Sequence, residues 1–160
     1  MPIQPYQQAV IDLMIRHENA MRDLYLLYSA QHKGRYWDFW HQLVKEETSH
    51  ANTVKLIEVS LEQGKADFRE DRFKTDLIEK SLSYISGKIA EAQTGEVAIL
   101  RALATALEIE NSFIEHEYFS VIDEDSEDLR FILKLLQKGT NDHQERVKSA
   151  WEAENKSITT

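Results

Sequence analysis

The chain has 160 residues, enough for one domain with a single buried core, and it is rich in Ala, Leu, Glu, Lys and Gln, which is typical of long helices. It contains no cysteine, which excludes disulfides, cysteine-based zinc sites and iron–sulfur clusters. Its formal net charge of −9 argues against nucleic acid or an anionic lipid surface as a partner, because both require a basic face.

Apolar residues at spacings of three and four predict four long amphipathic helices and one shorter helix. A break around Gly34 separates the first two, and Gly64 ends the second. An acidic turn precedes the last helix, where Ser126 is a good helix start. Strand patterns are essentially absent. In chain order, the predicted helices cover about residues 6–31, 36–62, 75–92, 95–121 and 127–154.

The shorter helix lies within a long connection of about residues 64–94. Two antiparallel helical hairpins joined by such a crossover suit an all-α four-helix bundle. We expect the bundle to occupy about residues 6–155 of a single domain, 1–160.

A pattern of Glu and His occurs once in each predicted hairpin. In the first half, His50 follows Glu18 by 32 positions, and Glu47 precedes that histidine by three. In the second half, His143 follows Glu110 by 33 positions. The two halves therefore read as a duplicated hairpin.

These residues are expected to lie at one height in the bundle. The midpoint of Glu18 and Glu47 falls at the break between the first two helices, and that of Glu110 and His143 falls in the acidic turn. Each residue also lies on an apolar, core-facing stripe of its helix. Buried carboxylates and imidazoles need partners, and either metal ions or mutual hydrogen bonds would serve.

One Glu from each of two helices and Glu-x-x-His from each of two others is the arrangement of ferritin-like di-iron and di-manganese proteins. The chain resembles that superfamily over nearly its whole length, and most closely its rubrerythrin and bacterioferritin branch. The resemblance implies the following roles. Glu18 and Glu110 are terminal carboxylate ligands, Glu47 is a bridging carboxylate, and His50 and His143 are paired imidazole ligands.

The resemblance also implies a function. Relatives bind two iron or manganese ions and react with oxygen or peroxide, so we expect one or two such ions, with Fe(II) oxidation or peroxide reduction as the activity. Relatives commonly form dimers or larger shells, and we expect a homodimer.

Thr140 departs from the pattern, because it stands where the first half has Glu47. A hydroxyl is a weak, neutral ligand that does not bridge two metals as a carboxylate does. One metal position should persist around Glu18, Glu47 and His50, whereas the position that relies on Glu110 and His143 should be weakened.

The sequence leaves two other interpretations open. The bundle is either metal-free or non-catalytic, with a structural or sensing role, or it is an interaction module whose outer faces matter more than its core. It has no nucleophile constellation, phosphate loop or basic groove, so we expect no organic cofactor and no nucleic-acid partner.

Neither a membrane-spanning run nor a signal peptide is evident, so a cytoplasmic protein is expected. Tyr25 and Tyr28 are interpreted as core aromatics. The remaining histidines lie off the ligand stripes and are interpreted as surface or interhelical residues: His17, His32, His41 and His116.

Overall fold

The computed structural model describes residues 2–159, which form five α-helices and contain no strand. The predicted all-α bundle is confirmed. None of the described helices is long and apolar enough to cross a membrane. The helices are α1 (Pro5–Gln31), α2 (Trp37–Glu62), α3 (Thr75–Thr94), α4 (Ile99–Glu115) and α5 (Glu127–Thr159).

The first hairpin begins and ends where local chemistry requires. Gln4 and Gln7 form a capping box at the start of α1, and Pro5 occupies the first turn, where no amide donor is needed. The helix α2 ends before Gly64, whose φ of 68° lies in the left-handed region that favours glycine.

Three helix boundaries differ from the prediction by four residues or more. The helix α4 begins at Ile99 rather than near residue 95, because the backbone of Gly95 is extended. The helix α4 ends at Glu115 rather than near residue 121, because Glu117 adopts a left-handed φ of 52° that stops the helix. The helix α5 continues beyond residue 154 to Thr159. The Ser157 hydroxyl donates to the Glu154 carbonyl, 2.8 Å away, and no glycine or proline interrupts this last turn.

Helices α1, α2, α4 and α5 surround one core. The helix α4, predicted to be one of the long ones, has 17 residues and is shorter than the crossover helix α3, which has 20. Helix α1 packs against α2, α4 against α5, and α2 against α5, while α3 packs on the outside of α1 and α4. A hydrogen bond of 3.3 Å joins Ser60 to Asp128, and an ion pair joins Glu46 to Arg146 at the other end, so α2 and α5 run antiparallel. This arrangement directs one face of each of these four helices, α1, α2, α4 and α5, towards a common interior.

Aromatic side chains fill the interior at one end. Tyr25, Tyr28 and Trp40 are essentially unexposed, and the tyrosine rings lie 5.5 and 5.1 Å from the indole ring. The interpretation of both tyrosines as core aromatics is confirmed. Rigid rings packed in this way hold α1 and α2 at a fixed separation.

Candidate metal centre

Glu47 lies at the centre of a polar cluster in the otherwise apolar core. It projects from α2 and is 1% exposed. Its Oε1 lies 3.0 Å from Nδ1 of His143 on α5, and its Oε2 lies 3.4 Å from Nδ1 of His50, one turn along its own helix. The two imidazole rings stack with their centroids 4.7 Å apart. One carboxylate therefore faces two imidazole nitrogens.

Two further carboxylates, from α1 and α4, flank this centre. Oε2 of Glu18 on α1 lies 3.8 Å from Nδ1 of His50, and Oε1 of Glu110 on α4 lies 3.5 Å from Nδ1 of His143. The structure thus brings together all five residues that the sequence singled out. Each imidazole faces one flanking carboxylate and one oxygen of the shared Glu47.

The tightest group consists of Glu47, His50 and His143. One potential ligand atom from each lies within 4.8 Å of the others. Two imidazole nitrogens and a carboxylate form a donor set that suits iron, manganese and other divalent transition metals.

Several polar atoms in the cluster lack a well-aligned hydrogen bond. Both oxygens of Glu47 and Nδ1 of His143 are buried without such a partner among residues 2–159. Although Glu47 Oε1 and His143 Nδ1 are only 3.0 Å apart, the angle at the contact is poor, so we treat it as an attraction between charges. The two oxygens of Glu47 left in this state are available to a cation.

The pKa values of the two histidines in the cluster are strongly raised. Burial alone would lower the pKa of His50, but its contacts with Glu18 and Glu47 outweigh burial and raise that pKa to about 10. Burial likewise opposes protonation of His143, yet its carboxylate neighbours raise the pKa of this imidazole to about 11. Without a bound metal ion, both rings are therefore protonated and positively charged at neutral pH.

The pKa values of Glu18 and Glu47 shift in opposite directions. Burial, reinforced by the nearby charge of Glu47, raises the pKa of Glu18 to about 7. Burial would also raise the pKa of Glu47, but the two histidines hold that pKa below its usual value. Glu47 is consequently the carboxylate that stays ionised at the centre.

Thr140 supplies no potential metal ligand to the cluster. It is buried, and its hydroxyl donates to the Leu136 carbonyl of its own helix, 3.0 Å away. Thr140 also lines a surface cavity of about 260 Å³ between α4 and α5. The place of a fourth carboxylate is thus taken by a side chain that bonds to its own backbone.

No family model, curated protein or solved structure matches this chain. The resemblance to ferritin-like proteins therefore stays a prediction from the sequence pattern.

Two residues near the cluster, Glu46 and Gly139, were not found from the sequence, and the contact of Tyr25 with Glu110 was not predicted. Oε2 of Glu46 lies 3.1 Å from Nε2 of His143, on the ring edge opposite Nδ1, and Glu46 also pairs with Arg146. The Tyr25 hydroxyl donates to Oε1 of Glu110, 3.0 Å away. The only sequence signal for Glu46 was its place beside Glu47, which does not show that it faces α5.

Gly139 is the second such residue. A Cβ on Gly139 would overlap the imidazole of His50, with Cε1 of the ring only 2.7 Å away. The absence of a side chain here lets the ring of His50 pack directly against the backbone of α5. A glycine inside a helix lowers its stability by about 1 kcal/mol relative to alanine, so a packing reason of this kind is needed to explain it.

His17 is buried between helices, in agreement with its interhelical interpretation. It is 1% exposed, and its Nε2 lies 2.8 Å from the Ser81 hydroxyl of α3. Burial lowers its pKa to about 4, so the ring is neutral at pH 7. His17 belongs to the packing of the crossover helix on α1.

Proposed function

We propose that the protein is a ferritin-like, rubrerythrin-type bundle that binds iron or manganese in its core, with Glu47, His50 and His143 as central ligands. The observation that carries this proposal is the position of Glu47, which is buried between Nδ1 of His143 at 3.0 Å and Nδ1 of His50 at 3.4 Å, with neither of its oxygens in an aligned hydrogen bond. A buried polar group left in this way costs about 1–3 kcal/mol, and more when charged. A bound cation would offset that cost.

The surrounding residues support the fit of such an ion. Glu18 and Glu110 stand on opposite sides of the central group, so each completes the ligand set beside one histidine. Entry of a divalent ion would displace the Nδ1 protons of the two imidazoles, as is usual when histidine becomes a ligand. The negative charge of the three carboxylates would then be balanced by metal rather than by protons.

We further propose that one ion binds tightly and a second binds more weakly. Glu47 offers one oxygen towards each histidine, but the hydroxyl of Thr140 is already donated to Leu136. Nothing in the cluster supplies a second bridging carboxylate. The half that contains Glu110 and His143 should therefore be the weaker one.

The residues around the ligands would prepare them for this role. Glu46 contacts Nε2 of His143 and leaves Nδ1 facing the centre, which is the usual way in which a carboxylate orients a metal-binding histidine. The hydroxyl of Tyr25 holds Glu110 in place. Bound iron would supply redox chemistry for oxidising Fe(II) with oxygen or for reducing peroxide.

The first test is an anaerobic titration of the metal-free protein with Fe(II) or Mn(II). The expected result is at least one ion per chain and loss of binding in Glu47→Ala. His50→Ala should also weaken binding, and His41→Ala is its matched control. Asp38 and His41 have the same spacing as Glu47 and His50, but they lie away from the cluster, and His41 contacts Ser29 at 2.5 Å. Absence of binding, or equal loss in both histidine variants, would contradict the proposal.

Activity is a separate question with its own measurement. Addition of oxygen to the Fe(II)-loaded protein is expected to produce a ferric absorption band, and peroxide should do so faster if peroxide is the preferred oxidant. If the protein binds Fe(II) but shows no such band, the metal-site proposal stands and the proposed oxidation of Fe(II) is wrong.

A metal-free bundle is the second candidate, and one observation favours it. The protonated His50 and His143 already balance most of the charge of their carboxylate neighbours, so the cluster has partners of its own. This candidate predicts that added Mn(II) leaves the melting temperature unchanged. The metal-binding proposal predicts that the melting temperature rises with Mn(II) concentration, because the ion binds only the folded state.

A further inference from the structure

A surface cavity of about 260 Å³ lies between the end of α4 and the middle of α5, and Phe113 and Thr140 form part of its buried end. Each of these two residues lies three positions from a proposed ligand on its own helix, Glu110 on α4 and His143 on α5. Three residues of a helix span about 4.5 Å along its axis and keep to one side of it. The buried end of the cavity therefore lies about one helical turn from the proposed metal centre.

A small internal void lies next to this cavity. It has a volume of about 10 Å³, which is near the lower limit for a single water, and Glu18 lines it. Phe113 and Phe119 line both the void and the cavity, and their rings stack with the centroids 5.7 Å apart. The stacked rings therefore stand between the surface cavity and a second proposed ligand of the centre.

The polar part of the cavity lining suits a hydrated cation. Among the described residues that line the cavity, Glu117 alone is charged, and it is exposed. Oxygen atoms of hydroxyls and amides accept hydrogen bonds from the water molecules around a divalent ion. Four lining residues carry such oxygens: Ser120, Gln137, Thr140 and Asn141.

Two lysines flank the cavity without lining it. Lys134 and Lys138 are exposed on α5, one turn before the lining residues Gln137 and Asn141, and Lys138 pairs with Asp142 at 3.3 Å. They reduce the attraction of Glu117 for a cation. The space itself remains lined by oxygen-bearing and apolar side chains.

The cavity is open because of two features of the chain. The helix α4 ends at Glu115, and the left-handed turn at Glu117, with a φ of 52°, prevents the helix from continuing along α5. At the buried end, Thr140 is shorter than a glutamate would be. Its hydroxyl donates to the Leu136 carbonyl and so keeps its lone pairs for a water or a hydrated ion.

We propose that this cavity is the path by which a hydrated divalent cation reaches the metal centre, with Glu117 at the entrance and Thr140 at the inner end. The inference rests on the proposed metal centre and adds the route to it. The substitution that removes a fourth carboxylate thereby leaves a polar opening beside Glu110 and His143.

The first test probes the cavity in the metal-free protein. The chain has no cysteine, so Thr140→Cys introduces a single thiol. Thr105→Cys is the matched control, because Thr105 is 5% exposed, as Thr140 is, but lines neither the cavity nor the void. A small cationic methanethiosulfonate should modify Thr140→Cys at least about tenfold faster than the control, whose thiol is reached only through local opening. Equal rates, or a faster reaction with an anionic reagent than with the cationic one, would overturn the proposal.

The second test follows the binding of Co(II) by stopped-flow absorption, with excess chelator to measure its release. Gln137→Trp places a large side chain at the exposed edge of the cavity. It should lower the association and dissociation rate constants equally, by about tenfold, and leave Kd unchanged, because an obstacle on the path slows entry and exit alike. Gln93→Trp, the same change at an exposed position of α3, should alter neither rate constant.

Failure of the path and failure of the metal centre are distinguishable. If wild type binds Co(II) and Gln137→Trp leaves the association rate constant unchanged, the path is wrong and the metal centre stands. The ion then enters past His50, whose side chain is 13% exposed. If wild type binds no Co(II), the metal centre is wrong and the path with it. Unchanged circular dichroism spectra will establish that each variant is folded.

Discussion

The carboxylate of Glu46 lies 3.1 Å from Nε2 of His143, on the ring edge opposite the Nδ1 atom that faces Glu47. This relationship places a carboxylate on each edge of one imidazole. One edge is directed to the centre of the bundle, and the other is held from α2. The orientation of His143 is therefore set by the protein itself.

The first prediction concerns this support. Glu46→Gln should weaken Mn(II) binding roughly 10- to 100-fold, because the ring of His143 loses the charge that orients it. Glu62→Gln, an exposed change on the same helix, is the control and should leave affinity unchanged. Isothermal titration of both variants provides the measurement. An unchanged affinity in Glu46→Gln would show that His143 is positioned by its other neighbours.

A second prediction uses the close approach of Gly139 to His50. Gly139→Ala should displace the imidazole, lower stability by about 1–3 kcal/mol through overpacking and weaken Mn(II) binding. Gly87→Ala is the matched control, since Gly87 is exposed in α3 and a Cβ there meets no atom within 4 Å. That change should raise stability by up to about 1 kcal/mol. Urea unfolding and metal titration of the two variants distinguish a packing effect from a general effect of alanine.

The third prediction concerns the missing carboxylate. Thr140→Glu should raise the number of Mn(II) ions bound per chain, since it adds a bridging ligand beside Glu110 and His143. Asn141→Glu adds the same charge at the next, exposed position and should leave the count unchanged. Electron paramagnetic resonance counts bound Mn(II) directly. If both variants bind the same number of ions, the lack of a carboxylate at position 140 is not what limits the second ion.

The fourth prediction follows from the raised histidine pKa values in the metal-free protein. The folded state holds the His50 proton up to a pKa of about 10, whereas the unfolded chain releases it near 6.5. The resulting stabilisation is fully present below pH 6.5 and is lost as pH rises towards 10. The melting temperature should therefore fall between pH 7 and pH 10, and His50→Gln should show a smaller fall. Equal slopes in both proteins would contradict the assignment of this proton to His50.

The sequence was sufficient to predict the five helices and the five residues of the cluster. Turn positions fixed the heights of Glu18 and Glu110 in the hairpins, and the apolar stripes fixed the direction in which they face. The end of α4 was missed because Glu117 adopts a left-handed backbone conformation that non-glycine residues seldom take. The roles of Glu46 and Gly139 depend on how closely α2 approaches α5, which helical periodicity does not determine.

Glu46 and Gly139 occupy equivalent positions in the two hairpins, one residue before Glu47 and one before Thr140. Each contacts the histidine of the opposite hairpin: Glu46 orients His143, whereas Gly139 makes room for His50. The two halves therefore differ in a complementary way. A bundle assembled from two copies of the first hairpin would place a carboxylate against the ring of His50, where this chain has only the backbone of Gly139. The chain's two halves are not interchangeable, although their ligand patterns nearly coincide.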